Sequence, residues 1–293
     1  MNIARSLVRY LGHRSFLRTG LKHRIITRFH NPNEAKSESF TTQFFGLNYE
    51  GNFNSYIDWC IYYLGAYSRH ELLFLESLAR QLPPAAVMID VGANVGNHSL
   101  FAATVFGHVY SFEPVPWLVE RLKNQQTRNA ITNMHVFPYA LGDADGIAEF
   151  YSSTMANQGM GTLIKDREKN VQVIEVAIKR GDNFLRSIGV DRVDVIKIDV
   201  EGFERAVLAG LSETISRHQP IVFFEWSEPQ LTDDLTLMAS PFFDQYVFFA
   251  FTQGRTFGLF FEENTYRLTR VDALKADNNY VAVPSNKLHL IDN

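Results

Sequence analysis

The chain has 293 residues, 46% hydrophobic and 20% charged, a globular balance that excludes disorder and supplies apolar material for a substantial core. Its net charge of −4 argues against a generally nucleic-acid-binding surface, because neutralising phosphates needs a surplus of Lys and Arg, and leaves room only for a local basic patch. A single cysteine, Cys60, excludes an intrachain disulfide framework and a cysteine-based zinc cluster, and it fits a reducing compartment as a small buried residue.

The basic amino-terminal segment, residues 1–35, carries Arg5, Arg9, Arg14, Arg18, Lys22, Arg24 and Arg28 with no Asp or Glu before Glu34. Ile3, Leu7, Val8 and Leu11 recur at helical spacing beside Arg5 and Arg9, which predicts a basic amphipathic helix. Three readings follow: a helix on an anionic membrane surface, an Arg-rich transit segment, or a solvated basic face packed on the domain. No window approaches the ~18 consecutive apolar residues that a spanning helix requires. No uninterrupted apolar run follows the basic start, as a secretory signal would need. The expectation is a cytoplasmic protein with residues 1–30 as the place for any peripheral membrane contact.

Residues 36–84 read as an extension packed on the main domain. The aromatic run "FFGLNYEGNFNSYIDWCIYYLG", punctuated by Gly and Asn, predicts short strands or a hairpin rather than a helix. After it, "SRHELLFLESLARQL" predicts a helix with Ser68 as N-cap, stopped by Pro83 and Pro84.

From Ala85 to the end strands and helices alternate. "AVMID", "HVYSFE", "MHVFPYAL", "VDVIKID" and "IVFFEW" are apolar runs separated by helical stretches, which predicts a doubly wound α/β domain over 85–293 with a mostly parallel sheet covered on both faces. The rhythm breaks at about 146–180, where "GIAEFYSS" and "VQVIEVAIK" predict an inserted β-hairpin around "NQGMGTL". Two final strands come from "YVFFAFTQG" and "NYVAVPS".

The first strand runs into "DVGANVG". Glycines let a backbone approach a ligand, and N–H groups at a helix start favour a negative group. The dinucleotide fingerprint needs a middle glycine for the pyrophosphate, and Asn94 stands there instead. Glu113 ends the second strand, where an acidic side chain accepts from ribose hydroxyls, and Asp143 follows the third, placed to accept from an adenine amino group. Together they point to an adenosine-containing ligand without a pyrophosphate. A turn or a solvated charge would explain each one alone.

These motifs, with "NQGMGTL" and above all "KIDVEGFE" followed by "VFFEW", resemble the FkbM-type S-adenosylmethionine-dependent methyltransferases over residues 45 to 285. The resemblance implies a Rossmann-like, seven-stranded methyltransferase sheet whose last strand is antiparallel, and O-methylation of hydroxyls, often on sugars or polyketides. It also implies that Asp90, Gly92, Asn94 and Gly96 line the methionine part of S-adenosylmethionine, that Glu113 holds the ribose, and that Leu141 and Asp143 hold the adenine. Two segments depart from the family: "AIKRGDN" keeps only Asp182 of an acidic segment, and "NHSL" replaces an aromatic-Thr pair.

Methyl transfer to a hydroxyl needs the oxygen positioned and its proton removed. Asp199 ends the fourth strand on the same face as Lys197, Glu201 starts the helix beyond it, and Glu225 ends the next strand. Asp199 is the expected base, with Glu201 and Glu225 as supporting carboxylates. Capping of the next helix is the plainer role for Asp199, and Glu204 with Arg205 reads as a solvated first turn. No histidine accompanies these carboxylates in sequence, so no metal is expected. His98 reads as a structural histidine, and Asn157 with Gly159 to Thr162 as either an acceptor loop or a plain hairpin turn. The expected acceptor is a hydroxyl of a carbohydrate, glycan or lipid-linked saccharide. The alternatives are an NAD(P)-dependent oxidoreductase, disfavoured by Asn94 and by the lack of a Tyr-x-x-x-Lys pair, and a catalytically silent binding module of the same fold.

Overall fold

In the computed structural model the described residues are 3–14, 17–153, 161–162, 171–226, 235–257, 260–263, 265–276 and 278–291. Two helices open the chain, α1 (Ile3–Gly12) and α2 (Thr19–Phe29), followed by an antiparallel hairpin of β1 (Ser39–Phe44) and β2 (Leu47–Asn52). The first part of the aromatic run thus lies in the expected hairpin, and its second part forms a helix, α3 (Tyr56–Leu64), instead of further strands. The reason lies at its ends and in its surroundings. The Ser55 side chain accepts from the Asp58 N–H, Gly65 closes the helix at φ +85°, and Trp59, Cys60, Ile61, Tyr62 and Tyr63 are all buried. Burial on every side removes the amphipathic period that would have marked a helix in sequence.

Helix α4 (Arg69–Gln81) forms where predicted, with Ser68 at its N-cap position at φ +43° and no side-chain cap bond. Its Leu72, Phe74, Leu75 and Leu78 are wholly buried against the sheet. Each such side chain stabilises the fold by roughly 1.5–3 kcal/mol relative to exposure.

The sheet is built from β3 (Val87–Val91), β4 (His108–Phe112) and β5 (Met134–Phe137), connected by α5 (Asn97–Ala102) and α6 (Pro116–Arg128). "MHVFPYAL" divides in two: after Pro138 the chain leaves the sheet and β6 (Ala140–Gly142) joins a second one. That second sheet, ordered β6-β9-β7-β8, contains the predicted hairpin as β7 (Gly146–Ser153) and β9 (Val171–Arg180), with β8 (Gly161–Thr162) on its edge. Asn157, Gly159 and Met160 lie outside the described residues.

The chain returns through α7 (Gly181–Ser187) to β10 (Val195–Ile198), then α8 (Glu204–Gly210), α9 (Ser212–His218) and β11 (Ile221–Trp226). Asp182 caps α9, accepting from the N–H groups of Glu213 and Thr214. After the short α10 (Leu235–Met238) come β12 (Tyr246–Gln253), the small hairpin β13 (Thr256–Phe257) with β14 (Phe261–Glu262), then β15 (Tyr266–Arg270) and β16 (Asn278–Pro284).

The central sheet has the order β15-β12-β16-β11-β10-β3-β4-β5. Its middle is parallel, and β16 runs antiparallel to β11, as expected of the final strand. It has eight strands rather than seven, because β15 pairs antiparallel with the outer edge of β12. "TYRLTR" carries little apolar signal, having only one sheet neighbour, so it was not read as a strand.

Strand alternation decides what faces what. Met88, Val195, Ile221 and Phe223 enter the core on the α4 side, whereas Ile89, Ile196, Ile198, Phe224 and Trp226 enter the opposite one. By the same period of two, Asp90, Lys197, Asp199 and Glu225 share the α4 side.

One buried ion pair ties the amino-terminal elements to the sheet. Asp58 has no exposed surface, and accepts from the Tyr49 hydroxyl (2.6 Å), the Asn52 N–H (2.8 Å) and the Arg121 guanidinium of α6 (2.7 Å). Arg121→Met would leave that carboxylate buried without its cation. We expect a loss of about 3–5 kcal/mol in urea unfolding. Asp58→Asn in the same chain should restore part of it; full stability of Arg121→Met alone would contradict this role.

Candidate functional site

A cleft opens at the carboxyl ends of β3, β4, β10 and β11, where open α/β sheets bind ligands. Its floor is the "DVGANVG" turn. Gly92 sits at φ +84°, and a Cβ there would lie 1.9 Å from the Asp199 carbonyl oxygen, so only glycine lets the two loops cross. The N–H groups of Gly92 and Ala93 both donate to the Phe112 carbonyl. Asn94 adopts φ +52°, which asparagine tolerates better than most residues, and its N–H donates to Glu113 Oε2 at 2.8 Å. Glu113 Oε1 accepts from the Val115 N–H, so one buried carboxylate holds two loops together. Burial pushes its pKa up to about 7, against the pull of these two N–H donors.

Beneath the cleft lies a charged ladder. Lys197 is paired in register with Asp90 on β3, is itself buried, and its Nζ lies 3.6 Å from Asp90 Oδ1 and 3.1 Å from Asp199 Oδ2. The second Asp90 oxygen accepts from Ser99 of α5 at 2.6 Å. Burial alone would lower the Lys197 pKa; Asp199, Asp90 and Glu71 together reverse this and raise it. Burial would likewise raise Asp199, but the Lys197 ammonium outweighs it and holds that carboxyl below its ordinary range. Glu225 ends the neighbouring strand without a cation of its own. Burial, then repulsion by Asp199, Glu201, Glu204 and Glu71, pushes its pKa up to about 8, so near neutral pH it keeps a proton beside the ionised Asp199.

Seven of the ten residues singled out from the sequence line this one cleft: Gly92, Asn94, Glu113, Leu141, Asp199, Glu201 and Glu225. The other three lie elsewhere. Asp90 is fully buried below the turn, Gly96 starts α5 at φ +92° against the Leu122 side chain, and Asp143 is exposed outside the lining. Glu201 lies before α8 at φ +51° instead of starting it. Glu204, expected to be solvated, is completely buried and accepts from the Gly202 N–H at 2.9 Å, which makes it the side chain that secures this turn.

Sequence reasoning missed four contributors. Tyr56 and Tyr67 line the cleft, Glu71 of α4 accepts from His98 of α5 at 2.8 Å, both buried, and Asn279 of β16 donates to its other oxygen. The signal for Glu71 was its place in the first turn of α4, directly before the apolar run Leu72 to Leu75. His98 is structural in that it pairs with Glu71, yet it also adds to the positive potential on Asp199.

Among the described residues, the acidic and basic side chains lining the cleft are all carboxyl groups, Glu113, Asp199, Glu201 and Glu225, with no cation among them. Beside them stand Phe112, Val115, Leu118, Leu141 and Phe150, an apolar wall for a flat ring. This donor set fits a cationic ligand with an aromatic base, as S-adenosylmethionine is, and does not fit a pyrophosphate.

A family model described as Methyltransferase FkbM domain matches residues 90–268, from the buried Asp90 into β15. The AMB antimetabolite synthetase AmbE of Pseudomonas aeruginosa is 30% identical over 168 residues, which are 45% of this chain and 8% of that protein. The hexuronic acid methyltransferase AglP of Haloferax volcanii is 31% identical over 131 residues, 44% of this chain and 51% of its own length. The 2-O-methyltransferase NoeI of Sinorhizobium fredii is 23% identical over 163 residues, 50% of this chain and 66% of its own length. The chain thus spans about half of AglP and a small part of AmbE.

Glu225 gives the site a pH signature. Its carboxyl releases a proton near 4.5 when unfolded and near 8 when folded, so its contribution is fully present below about pH 4.5 and is lost as pH rises to about 8. Thermal unfolding followed between pH 5 and 8.5 should show the melting temperature falling with pH. Glu225→Gln should fall less steeply, Glu113 supplying the remaining slope; identical slopes would refute the assignment.

Proposed function

The chain belongs to the FkbM methyltransferase family, whose members use S-adenosylmethionine, and from that premise we propose that it methylates a hydroxyl of a carbohydrate, glycan or lipid-linked saccharide. The observation that carries this reading is the lining of the cleft, which has carboxyl groups and no cation among the described residues and so complements a sulfonium cation. The names of AglP and NoeI support a sugar acceptor.

When bound, S-adenosylmethionine supplies an electrophilic methyl group on a positively charged sulfur. Gly92 and Asn94 leave room for its methionine end, Glu113 accepts from the ribose, and Leu141 packs on the adenine. Asp199 accepts the hydrogen bond of the acceptor hydroxyl and thereby points the oxygen at the methyl group, where positioning contributes up to ~7–11 kcal/mol. A hydroxyl oxygen becomes strongly acidic as it gains a methyl group, so a carboxylate of low pKa suffices to take its proton. Lys197 keeps Asp199 ionised for that task. Glu225, protonated, donates to Asp199 and fixes its orientation, and Glu201 at the exposed lip meets the acceptor.

Asp199→Asn should lower the rate of methyl transfer about 10²–10⁴-fold. Its affinity for S-adenosylhomocysteine, measured by calorimetry, should stay within a few-fold of the wild type. A wild-type chain that fails to bind S-adenosylhomocysteine would overturn the reading, and an undiminished Asp199→Asn rate would remove the base.

A particular observation on α1 favours peripheral membrane contact as well. The helix turns its arginines inward: Arg5 pairs with Glu38 at 2.7 Å, and Arg9 lies 4.6 Å over the Tyr62 ring. Val8 is buried against α3, but Leu7, Tyr10 and Leu11 turn outward, Leu7 60% and Tyr10 58% exposed, and Phe29 of α2 is exposed beside Arg28. No described helix is long and apolar enough to cross a membrane. An outward apolar stripe flanked by cations suits the surface of an anionic bilayer. The wild-type chain should sediment with phosphatidylserine-containing vesicles, and Leu7→Asp with Tyr10→Asp should stay in the supernatant. Equal partition of both chains would exclude the contact.

A further inference from the structure

A second cavity, of about 210 Å³, shares Tyr56 and Tyr67 with the cleft, and its electrostatics are the reverse. The first turns of two helices meet there, Thr19, Lys22 and His23 from α2 and Ser68, Arg69 and His70 from α4. Neither helix has a side-chain hydrogen bond at its N-cap, so both present the positive end of their backbone dipole to the cavity. Lys22 and Arg69 face a single lining carboxylate, Glu263, which already accepts from the Arg255 N–H. His13 completes the lining and is engaged with the Tyr62 carbonyl.

Two atoms in this wall lack what their chemistry requires. Arg69 Nε is buried and has no hydrogen-bond partner among the described residues, and the guanidinium makes no ion pair there; its one contact of that kind is the Phe45 ring at 5.5 Å. Burial pulls its pKa down, and the Glu76 carboxylate, which acts on it without forming an ion pair, does not offset that loss of water. His23 Nε2 is likewise buried without a partner. A cation held out of water without a counter-charge is costly, and an anion in the cavity would remove that cost. The path to the chemistry is short. A small cavity shares Tyr67 and Ser68 with this one and Asp199 and Glu225 with the cleft.

We propose that this cavity binds an oxyanion, a phosphate or a carboxylate, carried by the methyl acceptor, and that Arg69 with Lys22 and His23 anchors it so that a hydroxyl on the same molecule reaches Asp199. The assignment of the anion to the acceptor rests on the methyltransferase reading; the anion site itself does not.

The test is calorimetry on the full chain with S-adenosylhomocysteine present, titrating inorganic phosphate, inorganic pyrophosphate, glucuronate and, as an uncharged control, glucose. At least one anion should bind and glucose should not. A phosphate or pyrophosphate preference assigns a phosphorylated acceptor, and a glucuronate preference an acidic sugar. Arg69→Gln should weaken anion binding at least tenfold and leave S-adenosylhomocysteine binding unchanged. His23→Gln, which keeps a neutral polar side chain, provides a second variant should the first fold poorly. Absence of binding by every anion, or unchanged affinity in both variants, overturns the site. Anion binding without S-adenosylhomocysteine binding would instead refute the methyltransferase reading and leave the anion site standing.

Discussion

A single buried ammonium organises the middle of this protein. Lys197 is surrounded by sheet and helix, with Asp90 on one side and Asp199 on the other. Lys197 and Asp90 are charges held out of water, and with the partly exposed Asp199 they are tolerable only as a mutually compensating set, since a buried charge alone would cost several kcal/mol. The set fixes the relative height of β3 and β10 at the ends that form the cleft, because the register pairs Lys197 with Asp90. It also decides protonation. With the cation committed to Asp90 and Asp199, Glu225 faces an ionised neighbour and retains its proton, so two similar carboxyl groups on adjacent strands carry opposite charge states.

The same logic of compensation separates two neighbouring cavities. Among the described residues one presents carboxyl groups and no cation, the other is mainly cationic, and Tyr56 and Tyr67 belong to both. Such a division suits a reaction between a positively charged donor and a negatively charged acceptor, each drawn to its own side with the reactive groups meeting between them. Helix α2 supplies Thr19, Lys22 and His23 to the cationic wall, so the segment before the sheet does more than pack against it.

Much of this was legible in the sequence because the relevant signals are local. Continuous apolar runs ending in Asp90, Glu113, Asp199 and Glu225 mark buried parallel strands, and the carboxyl end of such a strand is where ligands sit. The glycines of the turn were read as sites of close backbone approach, and Gly92, where a Cβ would meet the Asp199 carbonyl oxygen, is one. What escaped detection depends on contacts far apart in sequence. Helix α3 is apolar all round and so has no period to read, β15 is an exposed edge strand, and Glu204 looks solvated until the turn at Gly202 folds over it. Glu71 and His98 are joined only by the packing of α4 on α5, and Asp143 follows a strand that leaves the main sheet, which carries it out of the cleft. The basic start of the chain was the least legible part. A helical wheel shows two faces but not which one meets the protein, and here the arginines do.

The crossing of Gly92 under Asp199 has a consequence for how such an enzyme diversifies. With less than a methyl group's width between the two backbones, the turn at Gly92 and the loop carrying Asp199 behave as one rigid part, and neither can be reshaped without displacing the other. Variation in what is methylated must therefore be confined to the walls contributed from elsewhere, the elements carrying Tyr56, Tyr67 and the first turns of α2 and α4. Chemistry and selectivity are thus held in separate stretches of the chain, and the second can be exchanged while the first is kept.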